Sequence, residues 1–148
     1  MIAVDTNVLV YAHRQHLPNH AQALRWLQHL AEGVIPWGIP VFCLGEFVRV
    51  ATHPRVLDPP STIAEASGAL EGLLRSPSVR ILSPGPHFPA LLFEALREAD
   101  ARGNLAFDAQ IAAVCREHGA TQILTHDRDF ARFAGLRLLP TESDPGAP

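Results

Sequence analysis

Met1-Ile2-Ala3-Val4-Asp5-Thr6-Asn7-Val8-Leu9-Val10-Tyr11-Ala12-His13 opens the chain with an apolar run, an acid, a turn pair and a second apolar run. Residues 1–4 read as a short buried strand, Thr6-Asn7 as a turn and 8–13 as a short helix. A strand with no polar alternation is covered on both faces, as in a parallel sheet flanked by helices. Asp5 then stands directly at the carboxyl end of that strand.

The same alternation continues to the end of the chain. Asn19 precedes a helix with Ala23, Leu24, Leu27, Leu30 and Ala31 at helical spacing, and Gly33 ends it. Residues 34–37 form a candidate second strand, and Pro40 opens a strongly apolar helix over 41–51. Pro54 and Pro59-Pro60 mark a loop, after which Ser61 caps a helix to about residue 75. A third strand at 79–82 leads to a helix over 88–101. Gly103-Asn104 resets the chain before a helix over 105–118, which Gly119 closes. A fourth strand at 122–124, a short helix over 127–133 and a weak fifth strand at 136–139 complete a single domain spanning 1–140. Residues 141–148 read as a flexible C-terminal tail. Parallel sheets of this kind bind ligands beyond the carboxyl ends of their strands, where the strand order reverses.

The 148 residues suit one domain with a sizeable core, and 47% hydrophobic against 18% charged residues indicates a globular chain. No apolar run approaches the ~20 residues of a membrane span, and the N-terminus lacks the pattern of a signal peptide, so the expected compartment is the cytoplasm. Cys43 and Cys115 are too few for a disulfide framework or a thiolate zinc site, and read as small core residues. His16 and His20 have helical spacing, but Pro18 interrupts it, so both read as surface residues. All 12 basic residues are Arg and Lys is absent, which excludes phosphate-binding loops of the GxxxxGK[ST] type, Schiff-base enzymes and Ser–Lys hydrolases. No GxSxG, HExxH or GxGxxG occurs. Arg binds phosphate bidentately, which keeps nucleic acid in play, although a net charge of −3 argues mildly against a broad basic surface.

Four acids occupy places where carboxylates are unusual. Asp5 and Asp127 follow the first and fourth strands. Asp108 shares a helix face with Ile111, Ala112 and Cys115, and Glu46 interrupts the apolar run 41–48. Carboxylates are rarely buried unless paired or metal-bound. Each has an alternative reading: Asp5 or Asp127 as a helix cap, Asp108 as a charge opposing a helix dipole, Glu46 as an i,i+3 partner of Arg49. Convergence of all four on one sheet edge is better explained by a cation. Oxygen ligands that also accommodate water and phosphate select Mg²⁺, with Mn²⁺ as a close substitute. Such a centre hydrolyses phosphodiesters. Thr6, Asn7, Asn104 and Thr125 are candidate supports for the acids, with turn, capping or strand-end roles equally open. Arg49 and Arg128 are candidate phosphate contacts.

Four ordered segments carry a resemblance. They are Val4-Asp5-Thr6-Asn7-Val8-Leu9-Val10-Tyr11-Ala12; Glu46-Phe47-Val48-Arg49-Val50-Ala51-Thr52; Gly103-Asn104-Leu105-Ala106-Phe107-Asp108-Ala109-Gln110-Ile111-Ala112-Ala113; and Thr125-His126-Asp127-Arg128-Asp129-Phe130. Together they resemble the PIN-domain ribonucleases, most closely the VapC-type toxins of toxin–antitoxin pairs. The resemblance implies a three-layer α/β/α sandwich with a parallel sheet, usually of five strands. It implies an Mg²⁺- or Mn²⁺-dependent endoribonuclease using one or two ions, and a VapB-type antitoxin whose tail occupies a groove at the acidic site. Transfer RNA or ribosomal RNA is the usual substrate, and a homodimer is common among relatives. Asp5, Glu46 and Asp108 match the family's three acidic positions, and Asp127 a fourth that varies.

Three other readings stand beside this one. A response-regulator receiver also gathers acids around Mg²⁺, but uses a lysine that this chain lacks. A PIN-fold nuclease in ordinary RNA processing would keep the chemistry without toxicity. A catalytically silent RNA-binding or regulatory protein would keep only the fold.

Overall fold

The computed structural model describes residues 1–146. In chain order the elements are β1 (Ile2–Val4), α1 (Thr6–His13), α2 (His20–Glu32), β2 (Trp37–Pro40), α3 (Val41–Ala51), α4 (Ile63–Leu74), β3 (Val79–Leu82), α5 (Phe88–Glu98), α6 (Leu105–Glu117), β4 (Gln122–Leu124), a 3₁₀ helix (Arg128–Arg132) and β5 (Arg137–Leu139). The five strands form one sheet in the order β3-β2-β1-β4-β5. Every pairing is parallel, with Ile2 opposite both Trp37 and Gln122.

This order fixes the layers. The chain moves outward from β1 to β2 to β3, then crosses back to β4 on the other side of β1. Right-handed crossovers in opposite directions put their helices on opposite faces. Helices α1–α4 pack among themselves, and α5 packs on α6, giving the three-layer α/β/α sandwich. The reversal lies between β1 and its neighbours, so the crevice beyond the carboxyl ends of β1 and β4 is the expected ligand site. Ala3, Val4, Ile39, Ile123 and Leu124 are fully buried at the sheet's centre, with Val8 and Phe47 over one face and Ala112 and Val114 in the same core.

Several boundaries differ from the sequence reading. Helix α1 starts at Thr6, not at Val8, because the Asp5 side chain accepts the Thr6 N–H and caps it. Strand β2 lies at Trp37–Pro40 rather than 34–37. Val34, of high strand propensity, is 93% exposed, whereas Trp37 and Ile39 are buried. Core burial, not propensity, sets the strand. Thr62 rather than Ser61 caps α4, in a capping box with Glu65, while Ser61 pairs with His13. Helix α5 stops at Glu98, short of residue 101, because Asp100 adopts φ 45° and turns the Ala101 N–H back to the Leu96 carbonyl.

His20 is not a free surface residue; its Nδ1 meets the Tyr11 carbonyl at the end of α1. Cys43 and Cys115 are buried in the core, as expected. The segment read as a tail begins anchored. Thr141 is 0% exposed, and the Trp26 indole donates to the Thr141 and Ser143 carbonyls. Residues 147–148 of that segment lie outside the described residues. Among the described residues no helix is long and apolar enough to cross a membrane.

Candidate active site

Asp5 sits where β1 ends and α1 begins, and three side-chain or backbone donors hold it. Its Oδ1 accepts the Thr6 N–H at 2.7 Å. Its Oδ2 accepts the Asn7 amide at 2.5 Å and the Thr125 hydroxyl at 2.7 Å. Thr125 follows β4 as Asp5 follows β1, so the pairing of these two strands brings the groups together. Asn7 also donates to Thr125 Oγ1 at 3.1 Å and accepts the His126 N–H at 3.2 Å. Asp5 is therefore both the helix cap and an oriented acid. Burial, the largest influence, pushes its carboxyl up to about 6 despite the donors from Thr125 and Thr6; Glu46 and Asp127 add to the rise.

Two helix faces build the walls of the crevice. On α3, Phe42, Gly45, Glu46 and Arg49 line it at i, i+3, i+4 and i+7. On α6 and its first turn, Asn104, Phe107, Asp108 and Ile111 do so at the same spacing. Glu46 accepts the Thr6 hydroxyl at 2.9 Å and Arg49 at 3.2 Å, so the i,i+3 pair forms while the carboxylate still borders the cavity. Asp108 is half-buried, and burial, then the fields of Asp127, Asp5, Asp129 and Glu46, push it up to about 7. Asp127 donates its N–H to Thr125 Oγ1 at 2.9 Å, and its carboxylate caps the 3₁₀ helix by accepting the Asp129 N–H.

The acids border two adjoining hollows. One of about 310 Å³ is lined by Asp5, Thr6, Asn7, Glu46, Asp108 and Asp127 among others. The other, about 720 Å³, shares Glu46, Asp108 and Asp127 and adds Arg49. A third hollow, about 300 Å³, lies between α1, α2, α3 and α4; it is apolar and contains no carboxylate. Among the described residues, no three His, Cys, Asp or Glu side chains are close enough to hold an ion by direct contact alone. The carboxylates thus surround a space instead of closing on a point.

Thr6, Asn7 and Thr125 join the site by the bonds above. Asn104 borders the larger hollow without a side-chain capping bond, so its capping reading does not hold. Arg128 is exposed on the 3₁₀ helix and lines neither hollow. The sequence reading passed over Phe42, Gly45, Phe107 and Gln110, which line the larger hollow. For Phe42, Gly45 and Phe107 the signal is the i, i+3, i+4, i+7 spacing around Glu46 and Asp108; Gln110 falls outside it. It also passed over His126, packed edge-on against Tyr11 with ring centres 5.0 Å apart and bonded to Thr141.

The PIN domain family model matches residues 2–136. VapC ribonuclease Mb2897 of Mycobacterium bovis is 41% identical over 137 residues, covering 93% of this chain and 92% of the relative. The structure of VapBC2 from Rickettsia felis, bound to a DNA fragment from their promoter, has a chain of the same fold: TM-score 0.69 at 21% identity, covering 95% of this chain and 98% of that one. VapC20 of Mycobacterium tuberculosis, a sarcin-ricin loop cleaving toxin, gives a TM-score of 0.66 at 22% identity over 93% and 99% of the two chains. With identity at this level over nearly the whole length, the chain belongs to the PIN-domain family, among the VapC ribonucleases.

Proposed function

We propose that this chain is a metal-dependent endoribonuclease and the toxin of a toxin–antitoxin pair. The observation that carries the reading is the gathering of Asp5, Glu46, Asp108 and Asp127 around one crevice at the switch point of the sheet. The names of the relatives support RNA as the substrate class, and a ribosomal or transfer RNA is the expected target.

The donor set fits a hard cation. It consists of carboxylate and amide or hydroxyl oxygens, and Asp5 and Asp108 are raised by burial and by neighbours of like charge, a cost that a cation would relieve. The open spacing of the acids suits Mg²⁺, which keeps several waters and seldom takes an all-protein cage. When bound, the ion supplies an activated water and neutralises charge on the phosphate oxygens. Asp5 and Asp108 would be its principal ligands, Glu46 would complete the shell or orient the water, and Asp127 would hold a second ion or a metal-bound water. Asp5 is already aimed by its three donors, so little reorganisation is required of it. Arg49, exposed at the rim and paired with Glu46, is placed to meet a phosphate.

A VapB-type antitoxin is the expected partner, supported by the VapBC2 complex among the structural neighbours, and a homodimer is the expected assembly. The test is cleavage of RNA by purified protein with Mg²⁺, with EDTA, and in the Asp5→Asn and Asp108→Asn variants. Cleavage that needs the metal and both acids supports the reading. Retained RNA binding without metal-dependent cleavage would leave only a binding protein. Growth arrest on expression, relieved by a neighbouring gene product, separates a toxin from a processing nuclease.

A further inference from the structure

We propose that the larger hollow between α3 and α6 is a nucleobase subsite, in which Phe107 and Phe42 stack an unpaired base next to the phosphate held at the acids. The proposal rests on the reading of the site as RNA-cleaving. Each wall contributes one aromatic ring beside one acid: Phe42 a turn before Glu46, and Phe107 immediately before Asp108. Phe107 is 62% exposed, so it is not part of the folded core. Phe42 is half-buried and packs against Phe88, ring centres 5.8 Å apart at a 35° tilt.

Gly45 leaves the space between these groups open. A glycine inside a helix costs about 1 kcal/mol relative to alanine. No atom lies within 4 Å of where its Cβ would be, so packing within α3 does not require the glycine. A longer side chain there would project into the hollow that Gly45 lines. The volume of about 720 Å³ falls in the usual range for small-molecule sites. Asn104, whose amide is not spent on capping, and Gln110 offer donors and acceptors to a base edge.

Charge argues the same way. Arg49 is the lone basic side chain among the lining residues, against Glu46, Asp108 and Asp127. The side chains themselves therefore add little attraction to the RNA backbone beyond what a bound ion would supply, and stacking supplies holding energy that does not depend on salt. A base inside a duplex cannot present its face to a ring, so the subsite selects unpaired RNA.

The test uses a short single-stranded oligoribonucleotide with 2-aminopurine beside the cleavage position, and the same strand with an abasic ribose there. Binding to the unaltered protein should quench the 2-aminopurine, and Phe107→Trp should keep the quenching. Phe107→Ala, which leaves only Phe42, should weaken it clearly and raise the KM by about 10-fold. Replacing the base by the abasic ribose should raise the KM of the unaltered protein similarly, with little further effect in Phe107→Ala. Undiminished quenching in Phe107→Ala, or losses that simply multiply, would overturn the subsite, as would a Phe107→Ala effect that tracks a change in oligomeric state. Quenching needs no turnover. An unaltered protein that quenches but does not cleave would count against the nuclease reading alone.

Discussion

The Thr125 hydroxyl donates to the Asp5 carboxylate at 2.7 Å, joining residues 120 positions apart. The same oxygen accepts the Asn7 amide and the Asp127 N–H, so one hydroxyl links the acid after β1 to the acid after β4. Thr125→Val keeps the shape, removes all three bonds and leaves the Asp127 N–H short of an acceptor. We expect a loss of about 1–3 kcal/mol, read as a lower Tm, together with a fall in RNA cleavage. Thr125→Ser should restore both. Normal stability in Thr125→Val would show that the hydroxyl does not tie the two strand ends.

The raised carboxyls make metal-free stability depend on pH. Asp5 titrates near 3.8 when unfolded and at about 6 when folded, and Asp108 at about 7. The folded state therefore holds more protons across this window, and stability falls as pH rises through it. At about 1.4 kcal/mol per unit, the buried Asp5 alone costs the metal-free fold about 3 kcal/mol above pH 7. His13, lowered by burial, acts in the opposite sense just below its ordinary 6.5 and makes the decline shallower there, while Glu65, Glu98 and Glu117, also held low, do so only near and below their ordinary 4.5. We expect the Tm in EDTA to decline between pH 4.5 and 7.5, a shallower decline in Asp108→Asn, and a larger gain from Mg²⁺ at pH 8 than at pH 5. A Tm that rises through this range in EDTA would contradict the arrangement.

The gathering of the acids is legible in the chain, and the shape of the site is not. Acids after short apolar strands, and Glu46 inside an apolar run, point to a crevice from the sequence itself, because an unpaired carboxylate in such places is costly. Strand β2 was misplaced by three residues because Val34 and Ile35 have the propensity while Trp37 and Ile39 have the burial. The docked segment at Thr141 was unreadable because its partners, Trp26 and His126, lie on distant elements and carry no periodic signal. The rings flanking the crevice were legible in principle, since Phe42 and Phe107 share helix faces with Glu46 and Asp108. That requires knowing that those two faces oppose each other, which only the fold supplies.

Gly45 offers a way to separate room from chemistry. Gly45→Leu raises the helix propensity of α3 by nearly 1 kcal/mol and places a branched side chain at the larger hollow. We expect a Tm that is unchanged or a few degrees higher, with weaker binding of a single-stranded oligoribonucleotide. Gly45→Ala should gain stability with a smaller loss of binding, since its methyl meets nothing within 4 Å. Gly45→Leu with full RNA affinity would mean that the substrate does not enter between α3 and α6.

The segment after β5 should behave as part of the fold. Thr141 is fully buried and bonds His126, one residue before Asp127 and edge-on to Tyr11, while its carbonyl and that of Ser143 accept the Trp26 indole N–H at 3.2 and 3.0 Å. Ending the chain at Pro140 removes both acceptors, leaves a buried indole donor dependent on water, and takes the Thr141 hydroxyl away from the His126 ring. We expect a Tm lower by several degrees and a red shift in tryptophan emission. Trp37, the other indole, is enclosed in β2 and packed in the core, so the shift should vanish in a Trp26→Phe background. An unshifted spectrum and an unchanged Tm in the shortened chain would show that the segment rests on the surface without supporting it.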